Sequence, residues 1–174
     1  MKKKINKDYG ILFWITGLSG SGKTLLAKKI RKKISNIYGP TLVISGDDIR
    51  NIFQLKGYSY KDRKNTVQKY CKLSRFLTSQ GINVIFAVVG MIDEIRDWNK
   101  KNIKNYFEIF IKSEIKTIIK NRKKKVYENF KKNIVGLDIK PEFPKKPDVI
   151  IQNDYKRSLD KLSRELLIKI TEKI

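Results

Sequence analysis

The 174-residue sequence predicts an α/β fold, a three-layer α/β/α sandwich around a mainly parallel central sheet. Three observations carry that expectation. Short runs rich in β-branched and aromatic residues recur at 11–16, 41–45, 82–89, 106–111 and 148–152, each about the length of a strand. Val84-Ile85-Phe86-Ala87-Val88-Val89 is apolar at every position rather than at alternate ones, the pattern of a strand covered on both faces. Between the runs lie segments with apolar residues at helical spacing, so strands and helices alternate and right-handed crossovers follow.

Each element has its own justification. Leu25, Leu26, Ile30, Ile34 and Ile37 predict a helix over 24–38, stopped by Gly39-Pro40. A short helix is expected over 49–53, and Ser59-x-x-Asp62 is a start signal for a longer one that runs to about Gln80 and stops at Gly81. Helical patterns at 94–105 and 114–123 flank the fourth strand. Residues 140–147, with Pro141, Pro144 and Pro147, read as a loop before the last strand. Leu159, Leu162, Leu166, Leu167 and Ile170 form an apolar stripe over 158–173. Residues 122–136 are the least regular and are expected to form a mobile lid. With no internal repeat and no low-complexity linker, residues 1–174 are expected to form a single domain.

Composition narrows the function classes. Forty Lys and Arg against 17 Asp and Glu leave a net charge of +23, so the expected partners are anions. With 40% hydrophobic residues the chain can build a core and is not disordered. It has no histidine, which removes the usual general base and the commonest metal ligand and leaves acid–base work to Asp or Glu. The single cysteine, Cys71, cannot form an internal disulfide and is expected to be a small buried hydrophobe, with Trp14 and Trp98 as packing residues. Lys2, Lys3 and Lys4 precede an apolar run as in a secretion signal, but the run is too short and no stretch approaches the ~18 apolar residues of a membrane span; a cytoplasmic location and no membrane partner are expected. The charge also invites a nucleic-acid-binding module. Basic residues are spread over every expected helix, however, and no RRM, KH or zinc pattern occurs, so no nucleic-acid partner is expected.

Directly after the first strand stands Gly17-Leu18-Ser19-Gly20-Ser21-Gly22-Lys23-Thr24, which matches G-x-x-x-x-G-K-[ST] and leads into a helix. This is a P-loop in its required context. Its glycines let successive N–H groups turn inward around phosphate, the helix points its positive end at the same anion, and Lys23 reaches the terminal phosphates. Thr24 is the expected Mg2+ ligand, and a nucleoside triphosphate the expected ligand of the loop. Switch and motor ATPases carry an acidic residue after another apolar strand, but here the 82–89 run ends at Gly90. A guanine-selecting N-K-x-D is also missing, since Asn99-Lys100-Lys101 is followed by Asn102. The small-molecule kinases of the P-loop nucleoside triphosphate hydrolase type remain.

The second strand ends in Ser45-Gly46-Asp47-Asp48-Ile49-Arg50, which places a carboxylate and a guanidinium beside the P-loop. Asp47 is the leading candidate to orient or deprotonate an acceptor hydroxyl, or to hold Mg2+ through water. Its alternative role is an N-cap for the short helix. Arg50 and Arg63 suit substrate phosphates, because a planar fork donates two hydrogen bonds to such an anion. Lys131 and Lys132 on the lid are candidates for the γ-phosphate path, with solvated charge as the alternative.

Over 11–152 the sequence resembles the adenylylsulfate kinase family. Phe13 to Thr24 is similar to that family's version of the P-loop, Ser45-Gly46-Asp47-Asp48-Ile49-Arg50 to its D-G-D-N-x-R motif, and Gly57-Tyr58-Ser59 with Asp62-Arg63 to its G-F-S and D-R segment. Gly136-Leu137-Asp138, Pro144 and Pro147-Asp148 echo its closing segments. The resemblance implies ATP-dependent phosphorylation of a nucleotide 3′-hydroxyl, Asp47 near that hydroxyl, Arg50 and Arg63 on the substrate's phosphate side, and a homodimer. The departures fall on the acceptor side. Val89-Gly90-Met91-Ile92-Asp93 stands where the family has I-S-P-Y-R, and the resemblance implies that Val88, Val89 and Gly90 lie on the substrate side. Thr66, Gln68 and Lys69 replace an Asn and paired Arg. Ile134 takes the place of a phenylalanine that, with an aromatic at Tyr58, sandwiches adenine in the family. Stacking contributes about 1–3 kcal/mol per base, so base preference is expected to shift. A branch of the family acts on cytidine diphosphoramidate in capsule synthesis, and the chain resembles that branch, with adenylylsulfate as the alternative acceptor.

Overall fold

The strands that the apolar runs announce assemble into one parallel sheet of five, in the order β2-β3-β1-β4-β5. They are β1 (Ile11–Thr16), β2 (Thr41–Ser45), β3 (Asn83–Val88), β4 (Asn105–Lys112) and β5 (Val149–Gln152). The structure, a computed structural model, describes residues 2–122 and 133–174. Among these residues six helices cover the sheet: α1 (Lys23–Tyr38), α2 (Gly46–Ile52), α3 (Tyr60–Ser79), α4 (Asp93–Asn102), α5 (Ile115–Arg122) and α6 (Leu159–Lys173). Residues 123–132, which include Lys131 and most of the expected lid, lie outside the described residues.

Side chains of a strand alternate between faces, and β1 shows both. Ile11, Phe13 and Ile15 pack with Leu26, Ile30 and Ile34 of α1 and Leu162, Leu166 and Ile170 of α6. Leu12 and Trp14 point the other way, into a second core with Val67, Tyr70 and Cys71 of α3 and Ile95 of α4. Trp14 and Cys71 are therefore packing residues, and Trp98 packs at the edge of that core. Because β1 lies between β3 and β4, its neighbours arrive from opposite sides, and a crevice opens at the strands' carboxyl ends, where this architecture binds ligands.

Helix ends follow local chemistry. Ser59 caps α3 by accepting from the Asp62 N–H, the Asp62 side chain accepts from the Ser59 N–H, and the chain leaves at Gly81 with φ 76°. α2 begins at Gly46 rather than 49, and its N-cap is Ser45, whose hydroxyl accepts from the Asp48 N–H at 3.1 Å. That overturns the alternative of Asp47 as the cap. α4 stops at Asn102 rather than 105, because Ile103 turns to extended backbone and buries its side chain while Asn105 joins β4.

Candidate active site

The loop after β1 is built on backbone geometry. At Gly17, φ is 156° and a Cβ would stand 2.6 Å from the Ile111 carbonyl oxygen and 2.8 Å from Ser21 Oγ, so no other residue fits. Ser19, Gly20, Gly22, Lys23 and Thr24 line a cleft of about 110 Å³, together with Gly46, Asp47, Val88 and Val89. Gly17, Leu18 and Ser21 do not line it; Leu18 and Ser21 are buried behind the loop and form its frame. Lys23 is buried, and its ammonium donates to the Leu18 carbonyl at 2.7 Å and so lies across the loop.

Two residues that the sequence reading missed brace this loop from the end of β5. The Asn153 side chain donates to the Ser21 carbonyl at 2.9 Å, and the Tyr155 hydroxyl donates to the Gly20 carbonyl at 2.5 Å. Their only sequence signal is position, immediately past a strand in the same parallel sheet as the loop's own.

A second cleft, about 170 Å³, adjoins the first and shares Ser19, Gly46, Asp47, Val88 and Val89 with it. Among the described residues Asp47 is the only acidic one lining either cleft. It lies at their junction, with Lys23 and Thr24 on one side and Arg50, Tyr58 and Arg63 on the other. No hydrogen bond from a described residue reaches its carboxylate, and the side chain is exposed.

Arg50 and Arg63 converge on one ring. Their guanidinium carbons lie 4.4 and 5.3 Å from the centre of the Tyr58 ring, close enough for cation–π attraction. Arg50 donates to the carbonyls of Leu55 and Gly57, and Arg63 to those of Tyr58 and Asn133, so both are held in place by backbone. Burial and the neighbouring Arg50 hold the Arg63 guanidinium below its ordinary value. Two like charges at close range beside one carboxylate make a place for an anion.

The far wall is apolar. Ile134, 7% exposed, lines the cleft with Val135, Ile139, Val67 and Tyr70. The 134–138 turn is closed by the Asp138 carboxylate, which accepts from the Ile134 N–H at 2.8 Å. Glu142 ties the following segment to the rest, accepting from the Asp93 N–H at 2.5 Å and from the Tyr60 hydroxyl at 3.3 Å. Gly90 is required by its surroundings, with φ 24° and Trp14 and Val88 carbons within 3.1 Å of any Cβ. Thr66, expected on the substrate side, lines neither cleft. The stripe Arg63, Val67, Tyr70 turns to the cleft and leaves Thr66 buried beside it.

A glycine-framed phosphate loop that meets, at one carboxylate, a cleft walled by two guanidiniums and an aromatic ring defines a P-loop phosphotransferase. The chain belongs to the adenylylsulphate kinase family, whose model matches residues 9–152. It is 33% identical over 167 residues to a cytidine diphosphoramidate kinase of Campylobacter jejuni, covering 94% of this chain and 97% of that one. It is 26% identical over 171 residues to an adenylyl-sulfate kinase of Gloeothece citriformis, covering 95% and 97%. An APS kinase of Mycobacterium tuberculosis, solved in complex with AMPPNP and APS, shares the fold with a TM-score of 0.81 at 24% identity, covering 94% of this chain and 98% of that one.

Proposed function

We propose that the enzyme transfers the γ-phosphoryl group of ATP to the 3′-hydroxyl of a nucleotide whose 5′ end carries two tetrahedral groups, with cytidine diphosphoramidate as the acceptor, in capsular phosphoramidate synthesis. The observation that carries the reading is that Asp47 lines both clefts; on this reading a donor phosphate on the loop meets an acceptor hydroxyl from the larger cleft there. Such a transfer needs little covalent help from the protein and depends on positioning and charge. Loop N–H groups and Lys23 hold the donor phosphates, Asp47 aligns the acceptor hydroxyl and takes its proton, and Arg50 and Arg63 hold the acceptor's 5′ anion. Thr24 and Asp47 line one cleft, and an oxygen pair of this kind, completed by phosphates and water, suits Mg2+. When bound, the ion neutralises charge on the phosphates.

The choice of base rests on the acceptor wall. An aliphatic Ile134 lines the same cleft as Tyr58, whose ring is already engaged by Arg50, so the cleft does not offer a purine the pair of aromatic faces of the family pattern. The higher identity to the cytidine diphosphoramidate kinase supports the same choice. Adenylylsulfate is the second reading, favoured by the family match. Release of ADP from ATP and Mg2+, with each acceptor at equal concentration, tests the two. A strong preference for the cytidine compound is expected, and preference for adenylylsulfate overturns the base assignment while keeping the reaction. The same reading makes the protein a cytoplasmic homodimer, and light scattering checks the dimer.

A further inference from the structure

We infer that Tyr70 is a positioning residue for Asp47, its hydroxyl holding the Gly46 carbonyl and with it the backbone that aims the Asp47 carboxylate into the acceptor cleft. The inference rests on the reading of Asp47 as the group that aligns the acceptor hydroxyl. The Tyr70 hydroxyl donates to the Gly46 oxygen at 2.9 Å, and Tyr70, Gly46 and Asp47 line the same cleft. Since no hydrogen bond from a described residue reaches the Asp47 carboxylate, its aim depends on the backbone that carries it. That backbone is the first turn of α2, a helix of seven residues, pinned at its start by Ser45 and by Tyr70.

The ring that carries the hydroxyl has no room to drift. Tyr70 is 2% exposed and stacks on Phe86 of β3, with centroids 5.1 Å apart and planes at 27°. Phe86 in turn lies 5.3 Å from Trp14 of β1. Trp14 stands two residues before Thr16, where the phosphate loop departs. A continuous run of packed rings thus joins the strand that bears the donor site to the carbonyl next to Asp47. Burial pushes the Tyr70 phenol up to about 12, so it stays a donor at neutral and mildly alkaline pH. A displacement of ~1 Å at such a site costs on the order of a hundredfold in rate, which makes a fixed strut between the two sites worth having.

Tyr70→Phe keeps the ring and removes only the hydroxyl. The wild type, Tyr70→Phe, Asp47→Ala and the double variant are compared for kcat, both KM values and melting temperature, with adenylylsulfate and cytidine diphosphoramidate as acceptors. In Tyr70→Phe, kcat is expected to fall roughly tenfold, with both KM values within about twofold and melting lowered by a few degrees at most. In the Asp47→Ala background the same change is expected to cost nothing further, because the hydroxyl acts through Asp47. An unchanged kcat in Tyr70→Phe beside a crippled Asp47→Ala overturns this inference alone, as does an equal loss in both backgrounds. Near-normal turnover in Asp47→Ala overturns the reading of Asp47 and this inference with it.

Discussion

The two clefts that meet at Asp47 are made differently. The phosphate loop is a backbone site: Gly17 has no space for a Cβ, and the loop carbonyls of Gly20 and Ser21 are held from behind by Tyr155 and Asn153. The acceptor cleft is a side-chain site, in which Arg50, Tyr58, Arg63 and Ile134 form the walls and only Gly90 is dictated by the backbone. A backbone site tolerates few substitutions, so its motif survives intact. A side-chain site changes its ligand by exchanging one residue, and the departures from the family's pattern collect there.

The comparison breaks first at Lys23 of the phosphate cleft and at Asp47, which lines both clefts. Lys23→Ala and Asp47→Ala are each expected to reduce kcat by at least about a hundredfold with circular dichroism and melting close to wild type. Near-normal turnover in Asp47→Ala would remove that carboxylate from the chemistry and separate the clefts functionally.

Ile134→Phe tests whether the acceptor side is as exchangeable as its construction implies. Restoring an aromatic side chain in the cleft that Tyr58 lines adds stacking worth about 1–3 kcal/mol per base, or roughly five- to a hundredfold. The ratio of kcat/KM for adenylylsulfate to that for cytidine diphosphoramidate is expected to rise by a factor in that range, with KM for ATP unchanged. A ratio that does not move would place base selection elsewhere in the cleft.

This division explains how much was legible. All five strands were readable from their runs of β-branched and aromatic residues, β3 most plainly because it is buried and apolar over nearly its whole length, and the Ser59 cap announced α3. The phosphate loop was readable because its chemistry lies within eight consecutive residues. Asn153 and Tyr155 were not, since they reach that loop across more than 130 positions of sequence and only the pairing of β4 with β5 brings them there. Tyr70 was equally silent, as it looks like any apolar residue of α3 until its hydroxyl is seen on Gly46. Thr66, named from the family motif, lines neither cleft, because a motif position does not state which side of the helix faces the cleft, whereas the placement of Val67 and Tyr70 does.

Asn153→Ala measures how far the backbone site depends on its brace. The change leaves the buried Ser21 carbonyl without that donor, at a cost of about 1 kcal/mol. KM for ATP is expected to rise about fivefold and KM for the acceptor to stay level. A rise in both would mean that the brace supports the junction rather than the loop.

The smallest effect concerns α3, which backs the acceptor side. Burial pushes the Cys71 thiol up from its ordinary 9.0 to about 12, against a weaker opposing pull from Asn99, and burial likewise raises Tyr70 from 10.0 to about 12. Both groups hold their protons more tightly folded than unfolded. Between pH 9 and 12 the folded state therefore binds more protons, and stability falls as pH rises. Their contribution is fully present below about pH 9 and is lost as pH passes through 12. The melting temperature is expected to decline over that window, and Cys71→Ala, which removes one of the two groups, to decline less steeply whatever its starting value. An unaltered slope would show that the thiol is ionised as readily in the folded chain as in the unfolded one, against its burial in the second core.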